Sequence, residues 1–331
     1  MTSRCWSVVL TLVAMALPAP RPVLAQSAPT DRNATTPRTS WGAPDLQGTW
    51  SHATVTPLER RDEHADRAFL TDEEVAEANL NAATFASSER RSELSAERDV
   101  GLAYNQFWWD RGRSDGRTSL IVDPPDGRMP PLQPHAQARA DARRASAQTR
   151  RSRVPEGPED RGDWERCLTL GVPRLGGAYN NNFQLFQTPE HVAILHEMVH
   201  ETRIIPLQVR SHLDSTIRQW LGDSRGRWEG NALVVETTNF GDKRSYRGSS
   251  MGLTLVERFT RVDVDTLRYE VTVDDPETWT RPWTAALDMP PTDGQIYEYA
   301  CHERNYGMEN LLRGARVQER AAAVTNTAEP R

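Results

Sequence analysis

Cysteine is scarce in this chain: three residues among 331, at positions 5, 167 and 301. With one cysteine in each of two distant motifs after the first, a thiolate metal cluster has no basis. There is no C-x-x-C-H run, no G-x-x-x-x-G-K-[ST] loop and no G-x-G-x-x-G following a strand, so c-type haem, nucleotide-phosphate and dinucleotide chemistry find no support. Ser224 sits in a Gly-Asp-Ser-Arg-Gly string (222–226), but that stretch reads as a turn and hairpin and not as the strand-to-helix turn of a hydrolase nucleophile elbow. The apolar run at 6–17 is short of the roughly 20 residues that span a bilayer.

That run has another reading. Arg4 precedes it, Pro18, Pro20 and Pro22 follow it, and Val23, Leu24 and Ala25 lie just before Gln26. This is the layout of a cleavable signal peptide over 1–25. No arginine pair precedes the run and no cysteine sits at the cleavage point, which favours the general secretory route without a lipid anchor. The mature chain is therefore expected to be periplasmic or secreted, with no stable membrane anchor once the leader is gone. Losing Arg4 and Arg21 moves the formal charge from -6 to -8, which gives no reason to expect a nucleic-acid partner. Cys5 leaves with the leader, so Cys167 and Cys301 are expected to form a disulfide in an oxidising compartment.

About 300 mature residues can bury a sizeable core. The segment 26–40, rich in Ser, Thr, Pro and Ala, reads as a flexible tether. A helical and irregular N-terminal region is expected over 41–163, a β-rich domain over 164–306, and a C-terminal helix and tail over 307–331. Thr71 and Glu74 make a capping box that starts a helix running to about Arg90. A polar, arginine-rich helix covers about 133–151, read as a solvated face. A short strand is expected at 118–123, and further strands at 183–187, 191–197, 202–207, 232–240, 253–261, 267–273 and 295–301. Leu267, Tyr269, Val271 and Val273 alternate with Arg268, Glu270 and Thr272, the mark of a sheet with one buried face. GDSRGRWEG (222–230) reads as a turn and hairpin in which Asp223 and Arg225 could pair. The fold class is mainly β with flanking helices (α+β), an antiparallel barrel or sandwich. Gly48, Thr49 and Trp50 resemble the Gly-x-Trp that opens the first strand of lipocalin-like barrels.

Four motifs carry chemistry. HEMVH (196–200) matches the zinc pattern H-E-x-x-H, which needs a helix to bring both histidines to one metal. The β-branched flanks and Pro206 argue for a strand over 192–200, where residues four apart sit about 13 Å apart. A zinc-dependent hydrolase on His196, Glu197 and His200 is thus a secondary reading, with Glu229 the least poor third ligand and no metal expected. YEYACHERNY (297–306) is the densest chemical cluster. On a strand, Glu298 and His302 share one face, where His302 could act as general base and Glu298 as its orienter. Tyr297, a candidate ligand-positioning group, points the other way from His302 unless a bulge intervenes. NNNF (180–183) offers amides, of which Asn182 could position a ligand; His200 and Arg203 are further ligand-binding candidates.

Taken together, WGAPDLQGTW (41–50), YNQFWWD (104–110), TSLIVDPPDG (118–127), YNNNF (179–183), GDSRGRWEG (222–230), ETTNF (236–240) and EYACH (298–302) resemble a group of exported bacterial proteins without an assigned activity. The resemblance covers nearly all the mature chain. It implies export and one shared architecture, and its pattern lacks the first histidine of HEMVH. The leading expectation is a small organic ligand or substrate held in a barrel or cleft, with cofactor-free acid/base chemistry if the protein is catalytic. The alternative is a non-catalytic periplasmic binding or envelope-interaction protein. Oligomeric state stays open.

Overall fold

Alternation of apolar residues places one side of nearly every strand in a shared core. The computed structural model describes residues 36–85, 87–102, 106–152, 154–208, 211–242, 246–303 and 305–328. The leader (1–25) and most of the tether (26–40) lie outside the described residues. Thr39, near the tether's end, is buried and bonds back to Ala43.

The strands are β1 (Gly48–Ser51), β2 (Ile121–Asp123), β3 (Asn182–Gln187), β4 (His191–His196), β5 (Glu201–Pro206), β6 (Asp223–Glu229), β7 (Ala232–Thr238), β8 (Thr254–Asp263), β9 (Thr266–Asp274) and β10 (Trp283–Met289). They form a four-stranded sheet, β1-β3-β4-β5, and a six-stranded sheet, β2-β10-β9-β8-β7-β6. Every ladder is antiparallel. The sheets join on one side, where Ser51 N–H donates to the Pro290 carbonyl (3.0 Å) and Thr292 N–H to that of Thr49 (2.9 Å). On the other side β5 and β6 share no ladder. They lie close there: a Cβ added at Gly226 would meet the Ile205 Cγ2 at 2.9 Å. The arrangement is a sandwich closed along one flank. Among the described residues no closed barrel forms.

Inward positions are almost wholly apolar: Leu185, Val192, Ile205, Leu233, Val235, Leu255, Leu267, Val271, Val273, Trp283 and Leu287 are all within 2 % of full burial. Trp50 is also sealed in this core, its indole N–H donating to the Leu46 carbonyl and Arg261 lying over its ring.

The helices are α1 (Asp72–Ala83), α2 (Ser88–Ser92), α3 (Ala96–Gly101), α4 (Pro134–Ser152) and α5 (Tyr306–Ala328). Both reciprocal bonds of the Thr71–Glu74 capping box are present. The helix they start ends at Ala83 rather than near Arg90, because Ser87 caps a separate helix. No helix among the described residues is long and apolar enough to cross a membrane.

Six expected strands, at 183–187, 191–197, 202–207, 232–240, 253–261 and 267–273, are present to within two residues at each end. The stretch 222–230, expected as a turn and hairpin, is one arm of a hairpin: β6 fills 223–229, the turn is Gly230 and Asn231, Glu229 pairs with Ala232 across it, and Arg225 bonds Asp223 at 2.6 Å. Two expectations fail. No strand forms at 295–301, where the chain joins no sheet ladder after leaving the sheet at Pro290 and Pro291. Instead β10, whose Thr-Ala-Ala-Leu-Asp core has weak strand propensity, pairs with β9 over seven positions. The stretch expected as strand over 192–200 stops at His196. A short turn over Met198–His200 follows, with Val199 and His200 at φ 65° and 53°.

Candidate functional site in the sandwich interior

Strand parity that buries Val192 and Ile194 carries His196 into the core, and the parity that buries Ile205 carries Arg203 there. On the opposite sheet, Leu255 and Phe259 bracket Glu257, and Leu267 and Val271 bracket Tyr269. His52 joins them two residues beyond Trp50. Polar groups from five places in the chain thus meet between the sheets, in a space also walled by Val172, Phe183, Ile194, Phe259 and Met289.

The best-satisfied part is a buried ion pair. Arg203 donates to Glu257 through both terminal nitrogens, one at 3.2 Å, and the Tyr269 hydroxyl donates to Glu257 Oε1 at 2.9 Å. The two charged side chains are 5 % and 3 % exposed. Burial, and then the Glu257 carboxylate, pushes the Tyr269 phenol well above its ordinary value, so it stays a donor. At the cavity's edge Arg174 pairs with Glu201 at 2.7 Å.

The histidines differ from these groups. His52 and His196 are 5 % and 8 % exposed, with ring centroids 6.3 Å apart and Phe183 against both. Both ring nitrogens of His52 and Nδ1 of His196 have no hydrogen-bond partner among the described residues. A buried polar group without a partner costs about 1–3 kcal/mol, so three nitrogens in one place require a reason.

Burial, and next the Arg174 charge, lowers the His52 pKa to about 3. Burial, then Arg174, His52 and Arg203, lowers that of His196 well below its ordinary value. Both rings are neutral at pH 7. The unfolded chain, titrating near 6.5, binds more protons than the native state from about 6.5 down to 3, so stability present above that window is lost as pH falls through it. At about 1.36 kcal/mol per pH unit, His52 alone costs about 2 kcal/mol by pH 5, and His196 adds in the same direction. Urea unfolding at pH 7.5 and 5.0 in low-halide buffer should show at least this loss, and His52→Phe should flatten the profile. Equal stability at the two pH values would mean that the imidazoles titrate like free histidine.

The structure separates the candidate residues. Arg203 lies in the interior cluster. Asn182 does not reach it: its side chain donates to Glu197 at 3.0 Å and so fastens the turn after β4. His200 is exposed on that turn, while His196 points inward, so the H-E-x-x-H histidines do not converge on one point. Glu229 pairs with Arg227 and Arg258 at the outer end of β6. Tyr297 is 72 % exposed, and Glu298 and His302 are exposed as well. The inner strand face expected for Glu298 and His302 is corrected accordingly: with no partner strand at 295–301, inward parity does not apply. Cys301 does bridge to Cys167.

Sequence reading missed His52, His196 as an inward residue, Glu257 and Tyr269. For Glu257 a signal existed, an acid at the apolar parity between Leu255 and Phe259. No protein-family model matches the chain, and no curated protein matches it significantly.

Proposed function

We propose that this is an exported, lipocalin-like protein that binds a small polar ligand between its two sheets. The observation that carries this reading is the pair of deeply buried imidazoles facing a common cavity, three of whose nitrogens have no hydrogen-bond partner among the described residues. The leader, the Cys167–Cys301 bridge and the resemblance to exported bacterial proteins support a periplasmic or secreted location. The join between β1 and the chain after β10, with Trp50 sealed beneath Arg261, supports a barrel opened between β5 and β6. Binding is favoured over acid/base turnover for a chemical reason. A general base works best with a pKa near the operating pH, and the His52 pKa of about 3 leaves a poor proton acceptor. The cavity, about 20 Å³, admits one water-sized group, so a ligand would enter by a small polar head.

A thermal-shift panel of short carboxylates, amides, phenols and sugars tests this. One class at about a hundred times its Kd should raise the melting midpoint by about 4 °C, from about 2.7 kcal/mol of linkage and the size-scaled unfolding entropy. The gain should vanish in His196→Phe, since His196 Nδ1 has no hydrogen-bond partner to lose among the described residues. A gain that persisted in that variant, or no gain from any class, would overturn the reading.

A further inference from the structure

We propose that the interior site takes a small monovalent anion, and that a proton binds with it on the histidine pair; the inference rests on the interior being a ligand site. His52 Nδ1 and Nε2, His196 Nδ1 and Arg203 Nε have no hydrogen-bond partner among the described residues, and their side chains are more than nine-tenths buried. The acceptors nearby are already engaged. Glu257 receives Arg203 and Tyr269, Glu201 receives Arg174, and Glu197 receives the backbone and side chain of Asn182. What the cavity has to spare is the Arg203 N–H, one N–H and one lone pair on neutral His52, and Nδ1 of His196; all four nitrogens become donors once the imidazoles are protonated. Arginine only donates, and an imidazole gains a second N–H when protonated. The guest that suits such a wall carries lone pairs and no hydrogens.

The charges point the same way. Arg174 faces the histidines from the loop after Val172, Arg203 from β5, and Glu257 and Tyr269 from β8 and β9. Glu197 and Glu201 flank the turn just beyond His196. Both guanidiniums act to disfavour a proton on His196, so the potential at the rings is positive. A cation would enter against that field. An anion reverses it and raises the imidazole pKa, so each anion bound near neutral pH draws in a proton. The volume of about 20 Å³ fits a halide or the head of formate.

Chloride-35 line broadening on the mature chain, in gluconate buffer at constant ionic strength, measures the binding. Broadening should appear, be displaced by bromide and by formate, and strengthen as pH falls from about 7.5 to 5.5, with Kd dropping by up to about tenfold per pH unit. His52→Phe and His196→Phe should each abolish it. Should either variant fail to fold, wild-type crystals grown in bromide should show an anomalous peak within about 3.5 Å of the His52, His196 and Arg203 nitrogens. Bromide confined to the surface, or broadening indifferent to pH, would overturn the proposal. Formamide, the neutral counterpart of formate, separates the two readings. If formamide binds and formate does not, the ligand site stands and the anion falls; if formate, chloride and bromide all fail to bind, the anion falls and the thermal-shift panel decides the ligand site.

Discussion

Replacing Cys167 and Cys301 together by serine is expected to cost the folded state about 5 kcal/mol. The two cysteines are 134 residues apart, and closing a loop of that length removes about 17 cal/mol/K of entropy from the unfolded chain on the chain-entropy model. For a mature chain of about 300 residues the unfolding entropy is about 0.6 kcal/mol/K, so the melting midpoint should fall by about 8 °C. The bridge also has a local task. Cys167 is buried at the end of a turn, and Asn305 beside it bonds the Glu165 carbonyl, so the chain leaving the sheet is tied down just before α5. Scanning calorimetry of the double variant under non-reducing conditions measures the effect. A fall of only a degree or two would show that the unfolded reference is held compact by something other than the bridge.

Arg203→Met should be nearly as damaging. It leaves Glu257 with one remaining donor, Tyr269, in a place that is 3 % exposed. Removing one partner of a buried pair costs about 3–5 kcal/mol, most of it from the stranded charge rather than from the lost attraction. The double variant Arg203→Met/Glu257→Leu should therefore recover most of the loss, since two apolar groups of similar size satisfy one another. Urea unfolding of both variants and the parent decides this. If the single and double variants were equally unstable, the loss would lie in packing around Arg203, and the ion pair would contribute little.

These two predictions rest on features that differ in how readable they were. The disulfide followed from arithmetic on cysteines: once Cys5 is assigned to the leader, two remain. The ion pair was half visible. Arg203 stood out in a short strand, while Glu257 looked like one more acid in an acidic chain. Its meaning comes from the parity of β8, which turns it toward Arg203 and Tyr269 from another sheet.

The sequence by itself determined the elements whose signals are local. Strand-like apolar runs separated by turn signals marked six strands, and at 267–273 period-two alternation marked a sheet with one buried face. The Thr71–Glu74 box defined the start of α1, because the first N–H groups of a helix need acceptors within a few residues. Only the tertiary structure decided the rest. β10 is held by its ladder to β9 and not by its own weak propensity. The segment 295–301 looks like a strand but joins no sheet ladder, so Tyr297, Glu298 and His302 end at the surface. His52, His196, Arg203, Glu257 and Tyr269 are spread over more than two hundred residues of chain and meet because two sheets pack face to face. Burial and the Arg174 charge set the protonation of those histidines, and neither can be read from their neighbours in the chain.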